Sequence, residues 1–150
     1  MPEPLDPALH RRYAATFFNA TWDYLDKTDR TTDEDDAMLL HAYASLLHWM
    51  KAPEGTALNR SVGWWQVSRV LAVLGRGEEA LAAAGRGLWA AQGESPFYVA
   101  YGHEARARAL AVSGESHAAS AEANTARAML PAIEDEAERG LLQADLAQLP

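Results

Sequence analysis

The chain has no cysteine among its 150 residues, which excludes a disulfide framework, a thiolate metal site and a cysteine nucleophile. Lysine is almost missing as well. Of 13 basic residues only Lys27 and Lys51 are lysines, and against them stand 21 acidic residues, for a formal charge of −8. The arginines are scattered, so no cluster of cations is available to neutralise a phosphate backbone, and a nucleic-acid partner is not expected. No apolar run approaches the roughly 18 to 20 residues of a membrane span. The segment Met1–Pro7 has neither the basic nor the apolar region of a secretory signal. These absences point to a cytoplasmic protein with no membrane partner. Sustained two-residue alternation is missing too, which removes the signature of half-buried strands.

What is present is alanine, arginine and a 3.6-residue apolar rhythm, interrupted by Gly or Pro roughly every 15 to 20 residues. Abundant alanine and arginine beside scarce lysine suits a GC-rich bacterial genome. A chain of this length buries roughly 70% of its unfolded surface as one domain. The expected class is all-α, with about seven antiparallel helices. Asp6-Pro7 offers an N-cap and a proline at the first helical position, opening a helix to about Lys27 with Tyr13, Phe17, Phe18, Trp22 and Leu25 inward. Thr32 with Asp35 is a capping-type pair for a second helix, Asp33 to Lys51, whose acidic start Asp33–Asp36 lies over the positive helix end. Further helices are expected over 57–74, 77–91, 96–113 capped by Ser95, 116–130 capped by Ser116, and 132–149.

Two segments repeat one another. Leu74-Gly75-Arg76-Gly77-Glu78-Glu79-Ala80 and Ser113-Gly114-Glu115-Ser116-His117-Ala118-Ala119 each place a Gly at the end of one helix and a small Ala five residues later, where two helices meet. Around them Trp64, Ala84 and Gly87 in the first unit, and Ala123, Ala126 and Pro131 in the second, complete a pattern that resembles the tetratricopeptide repeat. The turn glycines lie 39 residues apart, where that family repeats about every 34. The resemblance implies a short right-handed superhelix, with residues 1–55 as an N-terminal hairpin, 61–131 as two repeat-like helix pairs, and 132–150 as a capping helix. It also implies a binding role rather than reaction chemistry, with a protein or peptide partner held in a concave groove.

The motifs that suggest chemistry lack their context. Gly75-Arg76-Gly77-Glu78-Glu79-Ala80 fits the G-x-G-x-x-A dinucleotide fingerprint, but the apolar run before it belongs to a helical segment instead of a strand. Gly114-Glu115-Ser116-His117-Ala118 resembles a nucleophile elbow and lacks the strand that would strain its serine. Asp33–Asp36 has neither the Gly nor the terminal Glu of a calcium loop. No catalytic residue, metal ligand set or cofactor is therefore assigned. His41 and His48 fall seven apart, with Ser45 and Lys51, on a polar face opposite Leu39, Tyr43, Leu46 and Met50. That is about 10 Å of helix rise, too far for one metal.

The candidate binding residues come from the aromatics. Trp22, Trp49 and Trp64 fall on inward arcs and are expected in the core. In the family resembled, the first helix of each pair lines the groove, which would bring Trp65 and Arg69 beside Tyr101, Glu104 and Arg108. Aromatic rings would supply contact area there, and the arginines a bidentate grip on a carboxylate. A different reading gathers His48, His103 and Arg106 into a pocket for a small anionic ligand. A third is self-association, a homodimer covering the ends of a short helical stack.

Overall fold

The computed structural model describes residues 1–149, and among these it contains seven α-helices and no strand. The helices are α1 Pro7–Leu25, α2 Thr32–Lys51, α3 Ala57–Val73, α4 Gly77–Ala90, α5 Pro96–Val112, α6 Ser116–Met129 and α7 Glu136–Leu146. A 3-10 turn, Leu130–Ala132, precedes α7, so the last helix starts four residues later than the sequence pattern suggests. Pro131 in this turn carries no N–H to continue α6.

The ends of the helices follow local chemistry. The Asp6 side chain accepts from the Ala8 backbone N–H at 3.0 Å, with Pro7 in the first turn. At α2 the cap is Thr31 rather than Thr32, and its partner is Glu34 rather than Asp35. Thr31 Oγ1 accepts from the Glu34 N–H while Glu34 accepts from the Thr31 N–H, a reciprocal capping box. Thr56 and Asn59 do the same for α3. Ser95 holds the cap position of α5 without a side-chain cap bond, and Glu115, not Ser116, precedes α6.

The repeated turns are built alike. Gly75 and Gly114 take φ of +76° and +79°, the left-handed region that glycine enters without steric cost. In both, the N–H after the glycine reaches back to a helix carbonyl, Arg76 to Leu71 and Glu115 to Leu110, each at 2.9 Å. This closes the preceding helix in a Schellman motif. The helices then pack in the order of a helical repeat. Each hairpin, α1–α2, α3–α4 and α5–α6, is in contact along its length, each second helix touches the next first helix, and α1, α3, α5 and α7 form a continuous row. The second helices α2, α4 and α6 make no contact with one another.

Two apolar clusters hold this stack. One joins Met38 and Leu46 of α2 to Val67, Val70 and Leu71 of α3 and Ala80 and Ala83 of α4. The other joins Ala100 and Ala107, Ala123 and Ala126 to Ile133, Leu142 and Leu146. Burying each large aliphatic side chain contributes about 1.5–3 kcal/mol. Three buried polar side chains donate to backbone carbonyls across helices. Ser45 Oγ donates to Ala14 O at 2.8 Å, Gln66 Nε2 to Phe18 O at 2.9 Å, and Ser68 Oγ to Ala80 O at 2.8 Å.

One face of α2 departs in part from the sequence expectation: Leu46 is buried and Leu39 packs half-buried against the core as expected, but the polar face turns inward as well. His41, Ser45 and His48 turn toward α1, where His41 meets the rings of Phe17 and Tyr24, and His48 those of Tyr13, Phe17 and His10. Tyr43 and Met50, expected inward, are exposed. The cause lies in α1, whose rings pack against both imidazoles, while Met38 and Leu46 of α2 enter the cluster with α3. The tryptophans also depart in part from expectation. Trp22, Trp49 and Trp64 are half-buried, and of the three Trp64 packs against the first core cluster.

Candidate functional site

The row of first helices carries the site. α1, α3 and α5 each turn aromatic side chains to one side of the row, and α7 closes it with Leu141 and Asp145. The result is a cavity of about 250 Å³ with walls from Trp22, Trp65, Phe97, Tyr98 and Tyr101. Small residues make the room, since Ser61, Ala84, Gly87, Gly102 and Ala105 also line it. The rings form a chain in which Trp22 and Trp65 have centroids 5.8 Å apart, Trp65 meets Tyr101 edge-on at 5.5 Å, and Tyr101 meets Phe97 edge-on at 5.0 Å. Edge-to-face aromatic contacts of this kind hold a wall in shape beyond the area they bury.

Polar groups sit at one side of this wall. Tyr101 Oη donates to Asp145 Oδ2 at 2.8 Å, and Asp145 Oδ1 faces Arg69 Nη2 at 3.6 Å. Burial first, and then the bond to Asp145, push the Tyr101 phenol far above its ordinary value, so it stays protonated and donating. Arg108 donates to Glu104 Oε1 through Nε at 2.9 Å and through Nη2. Glu104 is fully buried, so this pair is not the surface pair its i,i+4 spacing suggests. Charges here balance, with two guanidiniums facing two carboxylates. Trp65 Nε1, Arg69 Nη1 and Glu104 Oε2 are buried without a hydrogen-bond partner, an arrangement that costs stability and therefore calls for an explanation.

Of the five residues read from the sequence, Trp65, Arg69 and Tyr101 come together around Asp145. Trp65 and Tyr101 line the cavity and Arg69 does not; Glu104 and Arg108 form their own pair, and neither lines the cavity. The arginine grip on an external carboxylate is corrected for Arg108, whose fork is engaged by Glu104, while Arg69 faces Asp145 at 3.6 Å. Trp22, Phe97 and Asp145 were missed. Phe97 and Tyr101 share an i,i+4 face of α5, which the sequence does display, whereas nothing local connects Asp145 to a residue 44 positions earlier.

The pocket of His48, His103 and Arg106 does not form, because α2 and α5 do not touch. His48 pairs with His10, their Nδ1 atoms 2.9 Å apart with one donating and the other accepting. Burial, then the positive charge of His10 and Lys51, lower the His48 pKa below its ordinary value. His103 and Arg106 instead meet at Glu122 of α6, each at 2.8 Å. Burial works against ionisation of Glu122, and the hydrogen bonds from His103 and Arg106 outweigh it, so its pKa is lowered.

A second, shallower cleft lies on the α3–α4 side, between Arg60, Trp64, Gly85, Arg86 and Trp89. Arg86 stacks over the Trp64 ring at 4.8 Å from its centroid. Trp89, at 82% exposure, is the most exposed of the tryptophans. Among the described residues there is no group of three or more acidic or histidine side chains that could hold a metal, and no helix long and apolar enough to cross a membrane. The chain matches no protein-family model, no curated protein and no solved structure.

Proposed function

We propose that the chain is a non-catalytic, tetratricopeptide-like binding module that takes an apolar side chain of a peptide segment or partner protein into the cavity between α1, α3, α5 and α7. The observation that carries this reading is the aromatic wall itself: rings from three successive first helices converge on one cavity, and the charged groups beside it, Arg69 with Asp145 and Arg108 with Glu104, face one another. A balanced set of charges offers little to a free carboxylate. A cavity of about 250 Å³ with apolar walls gains most from a leucine-, phenylalanine- or tryptophan-sized group, because apolar burial in a preformed pocket needs little reorganisation. Aromatic anchors of this kind concentrate binding energy.

The test is a display selection of short peptides against the intact protein, followed by titration of the best binder with Trp65→Ala and Arg108→Lys. Selected peptides should share one bulky apolar position. Trp65→Ala should weaken them about 30-fold or more, for an anchor contact of at least 2 kcal/mol, and Arg108→Lys should leave affinity nearly unchanged. Equal binding by Trp65→Ala would place the interaction elsewhere.

A further inference from the structure

Charge is distributed unevenly along this acidic chain. The α3–α4 hairpin, residues 57–90, carries four arginines against two glutamates, a net charge of +2 in a protein whose total is −8. α3 contains no acidic residue at all. Both acids of α4, Glu78 and Glu79, stand in its first turn, and Glu79 is held by Arg76. The cleft between Arg60, Trp64, Gly85, Arg86 and Trp89 therefore lies in a cationic stretch of an anionic protein.

Two guanidiniums in this cleft have no partner. Arg30, Arg69, Arg76, Arg106 and Arg108 each face a carboxylate, whereas half-buried Arg60 and exposed Arg86 make neither an ion pair nor a side-chain hydrogen bond among the described residues. Arg86 lies over the Trp64 ring, 4.8 Å from its centroid. That contact holds the guanidinium plane and leaves its N–H edges free to donate. The nearest acid along α4, Glu79, is about 10 Å of helix rise away. Beside the two cations stands the exposed Trp89, and Ala82, Gly85 and Ala90 keep the cleft open to a volume of about 430 Å³. Tryptophan and arginine are the residues in which binding energy concentrates at interfaces.

These features select an occupant by its charge and its shape. A guanidinium fork matches the two oxygens of a carboxylate in its own plane, and an apolar side chain next to that carboxylate covers the Trp89 ring. A small anion alone would leave Trp89 bare. A nucleic-acid strand needs a track of cations along successive phosphates, and two arginines do not make one. We infer that this cleft is a second docking site, which takes a segment of a partner protein in which an aspartate or glutamate stands close to a bulky apolar residue. Arg60 and Arg86 bond the carboxylate, and Trp89 receives the apolar group. The cleft shares no lining residue with the aromatic cavity, so neither site depends on the other.

The probe is an array of fluorescein-labelled, end-capped short peptides that hold one Glu and one Phe at every spacing in a Gly-Ser background, titrated against the full chain by fluorescence anisotropy. At least one spacing should bind with a Kd below about 1 mM. Exchanging the Glu of that peptide for Gln should weaken it about 10-fold, and Arg60→Gln or Arg86→Gln in the protein should do the same. Trp89→Ala should weaken it through the apolar contact. Arg11→Gln, at an exposed arginine outside the cleft, and Phe97→Ala, in the aromatic cavity, should leave the affinity unchanged. Circular dichroism checks the fold of each variant, and Arg86 and Trp89 are exposed positions that the core does not use. Failure of every spacing to bind, binding indifferent to Arg86→Gln, loss with Phe97→Ala, or tighter binding of a short oligothymidine would each overturn the assignment.

Discussion

The α1–α2 hairpin and the alanine-rich stack of α4, α5 and α6 close the same kind of helix pair with different materials. In the first, rings meet rings: His10, Tyr13, Phe17, Tyr24, His41 and His48 interlock, with Met38 and Leu46 beneath. In the second, Ala107, Ala119, Ala123 and Ala126 are buried where the helices touch, and Gly102 lets α5 approach Leu88 of α4. Large side chains supply stability by area, so a deletion is what harms them. Small side chains supply it by proximity, so what harms them is an added atom.

Three substitution experiments sharpen that contrast. The largest effect is expected at Met38, which is fully buried in the α2–α4 cluster. Met38→Ala should lower unfolding free energy by about 2–5 kcal/mol, measured by urea denaturation, and a loss under 1 kcal/mol would show that the aromatic region collapses around the gap. Next is the opposite operation at Gly102, where an added Cβ would lie 2.7 Å from Leu88 Cδ1 and 3.0 Å from Leu88 Cα. Gly102→Ala should cost about 1–3 kcal/mol by overpacking, partly offset by the better helix propensity of alanine. The matched control is Gly140→Ala in α7, which meets nothing within 4 Å and should gain about 1 kcal/mol from propensity alone. If both substitutions stabilise, the α4–α5 contact is looser than its geometry.

The smallest effect separates the hairpins by pH. The folded pKa of His48 is lowered, chiefly by burial, so the unfolded chain binds the extra proton first. Stability from this site is therefore full above the ordinary histidine value of about 6.5 and declines as pH falls below it. Glu122 is also lowered, so its contribution is full above the ordinary carboxyl value of about 4.3 and is lost only in more acidic solution. Melting midpoints from pH 8 to 3 should thus show two declines, the first missing in His48→Gln and the second reduced in Glu122→Gln. A first decline of unchanged size in His48→Gln would assign it to another group.

Much of this was legible along the chain. The positive-φ turns at Gly75 and Gly114, the proline start of α1 and the small residues at Ala80, Ala84, Gly87, Ala123 and Ala126 all rest on properties of a few neighbouring residues. The face of α2 was read correctly at Leu39 and Leu46 and wrongly at Tyr43, Met50 and the histidines, for an equally physical reason. Periodicity identifies two faces, but a helix carrying His41, Ser45 and His48 on one and Leu40, Tyr43, Leu47 and Met50 on the other is apolar on both by a moderate reading. Only the aromatic surface of α1 selects between them. The cavity was half visible: Trp65 and Tyr101 stood out as rings on first helices, while the partner of Tyr101 lies on α7.

The sequence by itself determined the helical class, the positions of the turns and the small-residue contacts, because capping, glycine conformation and propensity act over three to six residues. The tertiary structure alone decided that Asp145 meets Tyr101 and Arg69, that the i,i+4 pair of Glu104 and Arg108 is buried instead of exposed, and that His48 and His103 lie on helices that never touch. Those outcomes depend on which helix lies beside which, and no local rule carries that information from one helix to another.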